Sequence, residues 1–525
     1  MRITIFICSF TLLYACGWCQ APAIEWQNNL GGTSVDRAWK VILSEENDLL
    51  IASLVYSLDI DVPLHQHDRA YWLCSLDPTG ELQWDRVVGY VTGGNQKVEL
   101  ISRNNGSGYW AGATVDTLSD FSCTTSGISH IWLEHLNISG EGMGEICLGG
   151  SNGDAVRSLL MAGDGGVYLL GTSLSNDGDI PLNHGLSDLI LLKLDSVGEV
   201  NWSRAYGGSH SEGGRSIVQT NDNDLLIAGT TRSNDHMLTG INPFPDLDMA
   251  AWLLKLDPFG ELIWQQCYGG EDYDVIVAVG EYSNGDIWTV GYTRSTTNHA
   301  DCNNYNADVC WVMRLDAQGE VLNKACFGST LDSRINDAVL LPNDHLVCIG
   351  YTASAGGDVS EHYGATDVWI FQLDADLSLM WEKTYGGSDH DIANSAVLTP
   401  DGGLVFVGET SSNDGDLTGN HGMSDVWVVK LAPWDNGVVV QEVESKPEIH
   451  LFPNPAIEQL ILQFSDPTTK GHLKIYNPLG ELIHEQKVPQ GQRRLEVELS
   501  KLTRGAYVIR LKQENTGESF RFIKL

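Results

Sequence analysis

The sequence predicts an all-β chain: a seven-bladed β-propeller closed by a strand from its own N-terminus, then a small C-terminal β-sandwich. Three observations predict it. A phrase of about sixty residues recurs seven times, its last copy lacks a final strand, and the N-terminal region holds a segment that reads as that strand. The phrase is clearest as LDPFGELIWQQCYGG, Leu256 to Gly270, and returns as LDPTGELQW at Leu76, LDSVGEVNW at Leu194, LDAQGEVLN at Leu315 and LDADLSLMW at Leu373, with a weaker copy at Leu136. The anchoring leucines, Leu76, Leu136, Leu194, Leu256, Leu315, Leu373 and Leu431, are 60, 58, 62, 59, 58 and 58 residues apart. Such spacing marks repeated supersecondary units.

Each unit reads as four short strands. From Arg215 to Gly270 the order is RSIVQT, a turn of Asn and Asp, LLIAGTT, a polar loop, AWLLKLD, a Pro-Phe-Gly turn and ELIWQQCYGG. Apolar runs of this length between Gly, Asn, Asp and Pro clusters are strand and hairpin signals, and no window sustains a helical period. A tryptophan stands four residues before the anchor in six units, at Trp72, Trp132, Trp252, Trp311, Trp369 and Trp427. A second closes the fourth strand at Trp84, Trp202, Trp264 and Trp381. Packing between neighbouring sheets accounts for them, each ring burying about 150–250 Å²; the competing reading is a ligand-stacking platform.

The seventh unit ends at Leu431 without its GELxW strand, while AIEWQNNLGG near the N-terminus is that strand with its trailing glycines. A four-stranded sheet with two apolar faces must stack on neighbours, and radial stacking covers both faces while leaving short edges. The alternative, a β-solenoid, would not need the borrowed strand. The pattern resembles the roughly sixty-residue propeller repeats of secreted bacterial proteins.

Residues 1–19 carry an early Arg and a short apolar core, ITIFICSFTLLYA, which reads as a signal peptide, too short for a stable membrane span. Leu13-Tyr14-Ala15-Cys16 also weakly matches a lipoprotein cleavage box, which makes Cys16 a candidate for lipidation. No other apolar stretch is long enough for a transmembrane helix. The propeller is expected over 20–434, a linker over 435–447 and the last module over 448–525.

Charge separates the parts. The formal net charge is −38; Glu444 to Leu525 carries 12 Lys and Arg against 10 Asp and Glu, which leaves −40 for the rest. That excess repels nucleic-acid phosphates and anionic membranes, so neither is an expected partner. Eight cysteines follow the signal region, Cys74, Cys123, Cys147, Cys267, Cys302, Cys310, Cys326 and Cys348, with no CxxC pair among them. Disulfides within units and free buried thiols are both compatible with them. Cys310 and Cys326 would lie nearly opposite across a hairpin, with Cys302 as a competing partner.

In the last module LFPNPAIEQLILQF, LKIYNPLGELI, LTRGAYVIRL and RFIKL resemble, in order, the C-terminal type A sorting domain of the type IX secretion system. Phe452, Pro453, Asn454, Pro455, Gly505, Tyr507 and Lys524 match its motif positions. The resemblance implies periplasmic transit, recognition by the outer-membrane translocon, cleavage by a sortase-like peptidase, and release or attachment at the outer-membrane surface. The chain ends Lys524-Leu525 where many relatives end in Lys.

For chemistry, the loop between second and third strands stands out: SNDGDIPLNHGLSD at Ser175 to Asp188, SNDGDLTGNHGMSD ending at Asp425, and a blurred copy from Gly356 to Asp367. Clustered Asp and Asn oxygens are hard ligands suited to calcium, with Asp177, Asp179, Asp414 and Asp416 the candidates. The spacing is not that of an EF-hand, and Asn-Asp-Gly-Asp is a common turn former. His184 with Asp188 and His421 with Asp425 would brace the loop by hydrogen bonds. No catalytic residue is assigned: GxSxG, HExxH, phosphate-loop and dinucleotide patterns do not occur. The functional expectation is a secreted or cell-surface interaction module for a glycan or protein. The alternatives are a hydrolase or lyase working on polysaccharide or peptide in the channel, and a structural envelope component. Non-repeated polar residues in the channel would favour the enzyme.

Overall fold

The computed structural model describes residues 21–434 and 449–524, apart from 64–68, 91–96, 104–107, 117–122, 124–127, 239–248, 303–306, 418, 453–455, 465–469, 477–481 and 514–516. The expected signal peptide, Cys16, the whole of the expected linker and Pro453, Asn454 and Pro455 lie outside the described residues. The chain divides into two compact units, Met1–Val438 and Val439–Leu525.

The first unit contains seven four-stranded antiparallel sheets, a propeller-like arrangement. Their first strands are Asp36–Leu43, Val98–Ser102, Asp154–Met161, Glu212–Gln219, Asp274–Glu281, Ser333–Leu340 and Asp391–Leu398. Sheets one to six each take four consecutive strands. In the seventh, Asp391–Leu398, Leu404–Thr410 and Asp425–Leu431 are completed by Ile24–Leu30, antiparallel to Asp425–Leu431. Successive first strands lie side by side, and that of sheet seven lies beside that of sheet one. Shared cores join neighbouring sheets: Val405, Val407, Val426 and Val428 pack with Ile51, Trp72 and Cys74.

The tryptophans are structural. Trp72, Trp132, Trp252, Trp311, Trp369 and Trp427 are at most 1% exposed. Their indole N–H groups find partners, as buried donors must. Trp72 donates to Asp85 (3.1 Å), Trp132 to Glu145 (2.9 Å), Trp252 to Gln265 (3.1 Å) and Trp369 to Glu382 (2.9 Å), each thirteen residues on in the fourth strand. Trp427 donates instead to Gln27 (2.9 Å) of the N-terminal strand, which therefore holds the fourth-strand position chemically as well as in register. The second tryptophan reaches the next sheet. A Cβ on the turn glycines Gly80, Gly140, Gly260 or Gly319, all at positive φ, would come within 3.1 Å or less of the rings of Trp26, Trp84, Trp202 and Trp264 respectively, so glycine is needed at these turns for the backbone angle and for the close approach.

Among the described residues two disulfides occur, Cys123–Cys147 and Cys302–Cys326, each spanning 24 residues. The expected opposition of Cys310 and Cys326 does not occur. In the hairpin register Cys310 faces Phe327 while Cys326 faces Trp311, so side-chain alternation puts the two sulfurs on opposite faces. Cys310 is a buried free thiol, as are Cys74, Cys267 and Cys348. Cys267 holds the register of Cys147 and Cys326, but the residue 24 positions earlier is Pro243.

The second unit has two small antiparallel sheets. One orders Ile449–Phe452, Gln459–Phe464 and Arg494–Glu498; the other orders Leu482–Val488, Gly471–Tyr476, Gly505–Gln513 and Gly517–Lys524. Leu460, Leu462, Leu473, Ile475, Val497 and Ile509 from both sheets form one buried core.

Candidate functional site

Three sets of polar residues recur or converge. The first staples the sheets at the ends of the first strands, where a G-G-x-x-x-acid pattern closes on itself. The Asp36 carboxylate accepts from Gly32 N (2.9 Å) and the Ser57 hydroxyl (2.6 Å). Asp154 accepts from Gly150 N (2.8 Å), Ser175 (2.9 Å) and the Ser173 hydroxyl. Glu212, Asp274 and Asp391 repeat the arrangement with Gly208, Gly270 and Gly387, and in sheet six Ser333 replaces the acid. These carboxylates are at most 2% exposed. Burial pushes the Asp274 carboxyl up to about 6, against the opposing pull of its hydrogen bonds. Asp391 is raised for the same reason.

A second buried acid faces three of these clamps. A Cβ on Gly31 would stand 2.7 Å from Asp36 Oδ2 and 2.9 Å from Asp425 Oδ1; Gly207 sits in the same way between Asp188 and Glu212, and Gly386 between Asp367 and Asp391. Oδ1 of Asp188, Asp367 and Asp425 is buried and has no hydrogen-bond partner among the described residues. Their other oxygens hold the loops: His184 Nδ1 lies 2.6 Å from Asp188 Oδ2 and His421 Nδ1 2.8 Å from Asp425 Oδ2, the braces the sequence suggests. Burial raises the Asp367 and Asp425 carboxyls, and the facing Asp391 and Asp36 add to it.

The four calcium candidates form two separate pairs that reach across to the neighbouring sheet. Asp177 accepts from Ser151 N (2.7 Å) and Asp179 from Gly149 N (3.2 Å); Asp414 accepts from Ser388 N (2.7 Å) and Asp416 from Gly386 N (3.2 Å). Among the described residues no group of three His, Cys, Asp or Glu is arranged to hold a metal ion. The same positions exist in sheet one, where Asp59 accepts from Thr33 N (2.9 Å) and Asp61 from Gly31 N (3.4 Å), and in part at Asp235 and Asp358. The loop wording there, SLDID, SNDHM and AGGDV, hides the equivalence; the GGxxxD phrase upstream is the signal that could have found it.

The third set lies on the first strands, and sequence reasoning missed it. Six of the seven first strands carry a β-bulge at one register position, and the bulged residues are Trp39, Arg157, Arg215, Val277, Asn336 and Asn394. Sheet two has no bulge, and Glu99 takes the paired position that follows it, the register of Lys40 and Asp337. A bulge re-aims the side chain it adds. Asn336 reaches Ala393 O (2.8 Å) on the next first strand, and Asn394 reaches Ala38 O (2.9 Å) on the one after. Trp39 lies under the Lys97 ammonium, 5.7 Å from ring centroid to Nζ. Around Glu99 and Asp337 gather Lys40, Lys97, Arg157 and Arg215. Burial pushes the Glu99 carboxyl up against the pull of Lys40 and Lys97. Burial lowers the Lys97 ammonium, and Arg215, Lys40 and Arg157 lower it further while Glu99 opposes. Asp337 is anchored by Ser395 Oγ (3.1 Å) and Ala396 N (3.2 Å).

In the second unit two of the described sorting-motif positions meet. Gly505 and Lys524 are register partners, and Lys524 bridges to Ala456, directly after the Phe452 to Pro455 segment. The Tyr507 ring is buried in the core and its hydroxyl donates to Thr503 O (2.9 Å).

The first unit is thus an all-β repeat structure of seven four-stranded sheets. Residues 450–524 match the family model of the secretion system C-terminal sorting domain, so the chain is a cargo of type IX secretion, delivered to the cell surface or released. The sorting tail implies interaction with that machinery, and among the described residues no helix is long and apolar enough to cross a membrane. The chain is also similar to the regulatory protein FlaEY of Caulobacter vibrioides, 28% identical over 149 residues, which are 27% of this chain and 16% of that protein. The matched stretch therefore spans about a sixth of that relative. Among solved structures, the parainfluenza virus 5 hemagglutinin-neuraminidase aligns at 9% identity and TM-score 0.35 over 64% of this chain and 89% of its own. A puromycin hydrolase aligns at 12% identity and TM-score 0.40 over 86% of this chain and 62% of its own.

Proposed function

We propose that the seven sheets close into a seven-bladed β-propeller and that this propeller is a secreted or cell-surface interaction module. It binds a glycan or protein through the side chains its first strands present about the ring axis. Closure is supported by Ile24–Leu30 in the seventh sheet and by the adjacency of the last and first of the first strands. One observation carries the functional reading: the scaffold positions repeat, whereas the bulge position reads Trp39, Arg157, Arg215, Val277, Asn336 and Asn394, and the paired position after it reads Lys40, Glu99, Ser158, Ser216, Ala278, Asp337 and Ser395 around the ring. Residues that serve the fold recur in each unit; residues that serve a ligand need not.

An array of polysaccharides and matrix proteins, probed with the full chain in calcium and again in chelator, tests the reading. Saturable binding is expected, and Trp39→Ala with Asn394→Ala should weaken it about tenfold or more, each lost buried contact or hydrogen bond contributing on the order of 1 kcal/mol. Binding that ignores every axial substitution would remove the axial site.

A second reading has its own support. Glu99, with its carboxyl pushed up by burial, shares the cluster with Asp337, and glycoside hydrolysis uses a pair of carboxyl groups. Release of reducing ends by the full chain, abolished in Glu99→Gln, would make the module a hydrolase.

A further inference from the structure

We propose that Lys97, Arg157 and Arg215, with Trp39 beside them, form an anion subsite that takes the carboxylate or sulfate group of an acidic glycan. This deepens the axial reading above and rests on it. The first reason is the pattern of ion pairs. Several other cations of the sheets are matched: Lys193 with Asp164 (2.8 Å), Lys255 with Asp222 (3.0 Å), Arg86 with Glu134 (2.9 Å) and Arg314 with Asp286 (2.6 Å). Among the described residues the side chains of Lys97, Arg157 and Arg215 have no ion pair and no hydrogen bond. In a unit that carries an excess of about forty negative charges, carboxylates are plentiful, yet the cluster holds Glu99 and Asp337 against four cations once Lys40 is counted.

The second reason is placement. Arg157 and Arg215 occupy the same bulge register on adjacent first strands, and Lys97 immediately precedes the first strand of sheet two. Lys97 is exposed to water although protein surrounds it, as in a solvent-filled well. The charges also act on one another: burial lowers the Arg157 guanidinium and Arg215 lowers it further, with Glu99 opposing. A bound oxyanion would relieve that repulsion and accept the idle donors, and charge-assisted hydrogen bonds of this kind are the strong ones.

Trp39 decides the class of ligand. Its ring is only partly buried, so part of the indole stays open beside the Lys97 ammonium. An indole face beside cations suits a sugar ring, whose apolar C–H face packs on the aromatic while its oxygens accept. An acidic side chain of a peptide would use the cations and leave the indole unused.

The test is calorimetric titration of the full chain with polygalacturonate, dextran sulfate, uncharged dextran and polyglutamate. The carboxylate and sulfate arms separate the two anionic groups. Binding of at least one acidic polysaccharide is expected, with little for uncharged dextran, and it should weaken as salt rises from about 50 to about 500 mM. R157Q with R215Q should weaken it about tenfold or more, whereas R157K with R215K should keep most of it. If the double Gln variant fails to fold, Lys97→Gln replaces it with the same expectation. Unchanged affinity in the Gln variants, no acidic polysaccharide bound, or polyglutamate bound as tightly would each overturn the subsite. A neutral glycan lost with Trp39→Ala but indifferent to the Arg changes would overturn the anion subsite and leave the axial module standing; insensitivity to all these changes would end both.

Discussion

Asp274 carries the clearest consequence at the scale of one residue. Its carboxylate holds Gly270 N, the Ser295 hydroxyl and the Thr293 hydroxyl, yet burial raises its pKa from 3.8 to about 6. A raised carboxyl means that the folded state binds a proton more tightly than the unfolded chain does. Its contribution to stability is therefore full below the unfolded value and is lost as pH rises through about 6. The difference amounts to about 3 kcal/mol at neutral pH. Asp367, Asp391 and Asp425 shift in the same direction. We expect the melting temperature to fall between about pH 4 and pH 6.5, and Asp274→Ser, which copies the Ser333 version of the clamp, to flatten part of that fall. A melting profile equally steep in the variant would show that Asp274 is not the titrating group.

At the scale of elements, the borrowed strand is the exposed point of the design. Ile24–Leu30 supplies six paired residues to Asp425–Leu431, the Gln27 acceptor for Trp427, and the Trp26 ring over the Gly80 turn. Removing residues 20–30 should lower the melting temperature by about 5–10 °C, since the loss is several kcal/mol in a unit of about four hundred residues. The strand peptide added back in trans should restore part of it. Normal melting of the truncated chain would mean that sheet seven is stable with three strands. The strand was legible in AIEWQ because anchors, turns and Trp positions are fixed by packing and recur with the unit. The disulfides were not: Cys302–Cys326 depends on which face each side chain takes, and one residue of register reverses that. The cluster on the first strands was hidden for a related reason. Bulges obey backbone geometry rather than composition, and Arg157, Asn336 and Trp39 have nothing in common as letters, so the sequence offered no repeat by which to align them.

For the whole molecule, two units with opposite charge balance divide the work. The first carries the acidic excess and the second is nearly neutral, with its own core through Leu460, Ile475, Val497 and Ile509. In that unit the described motif positions serve structure: Tyr507 is buried and ties its hydroxyl to Thr503, while Lys524 pairs with Gly505 and lies beside Ala456. A sorting signal of this kind is a folded surface, so it should fail by loss of fold as readily as by loss of contact. Deleting Val439–Leu525 should leave the first unit with unchanged melting but hold it in the periplasm, as fractionation and surface labelling would report. Tyr507→Ala should reach the same end by another route, because emptying an aromatic site in a small core costs about 3–5 kcal/mol, most of what so small a unit has to lose. Tyr507→Phe, which keeps the ring and loses a hydrogen bond of about 1 kcal/mol, should still be exported. Surface delivery of the chain lacking Val439–Leu525 would refute the sorting role; equal export of the Tyr507→Ala and Tyr507→Phe variants would confine recognition to residues outside the folded core.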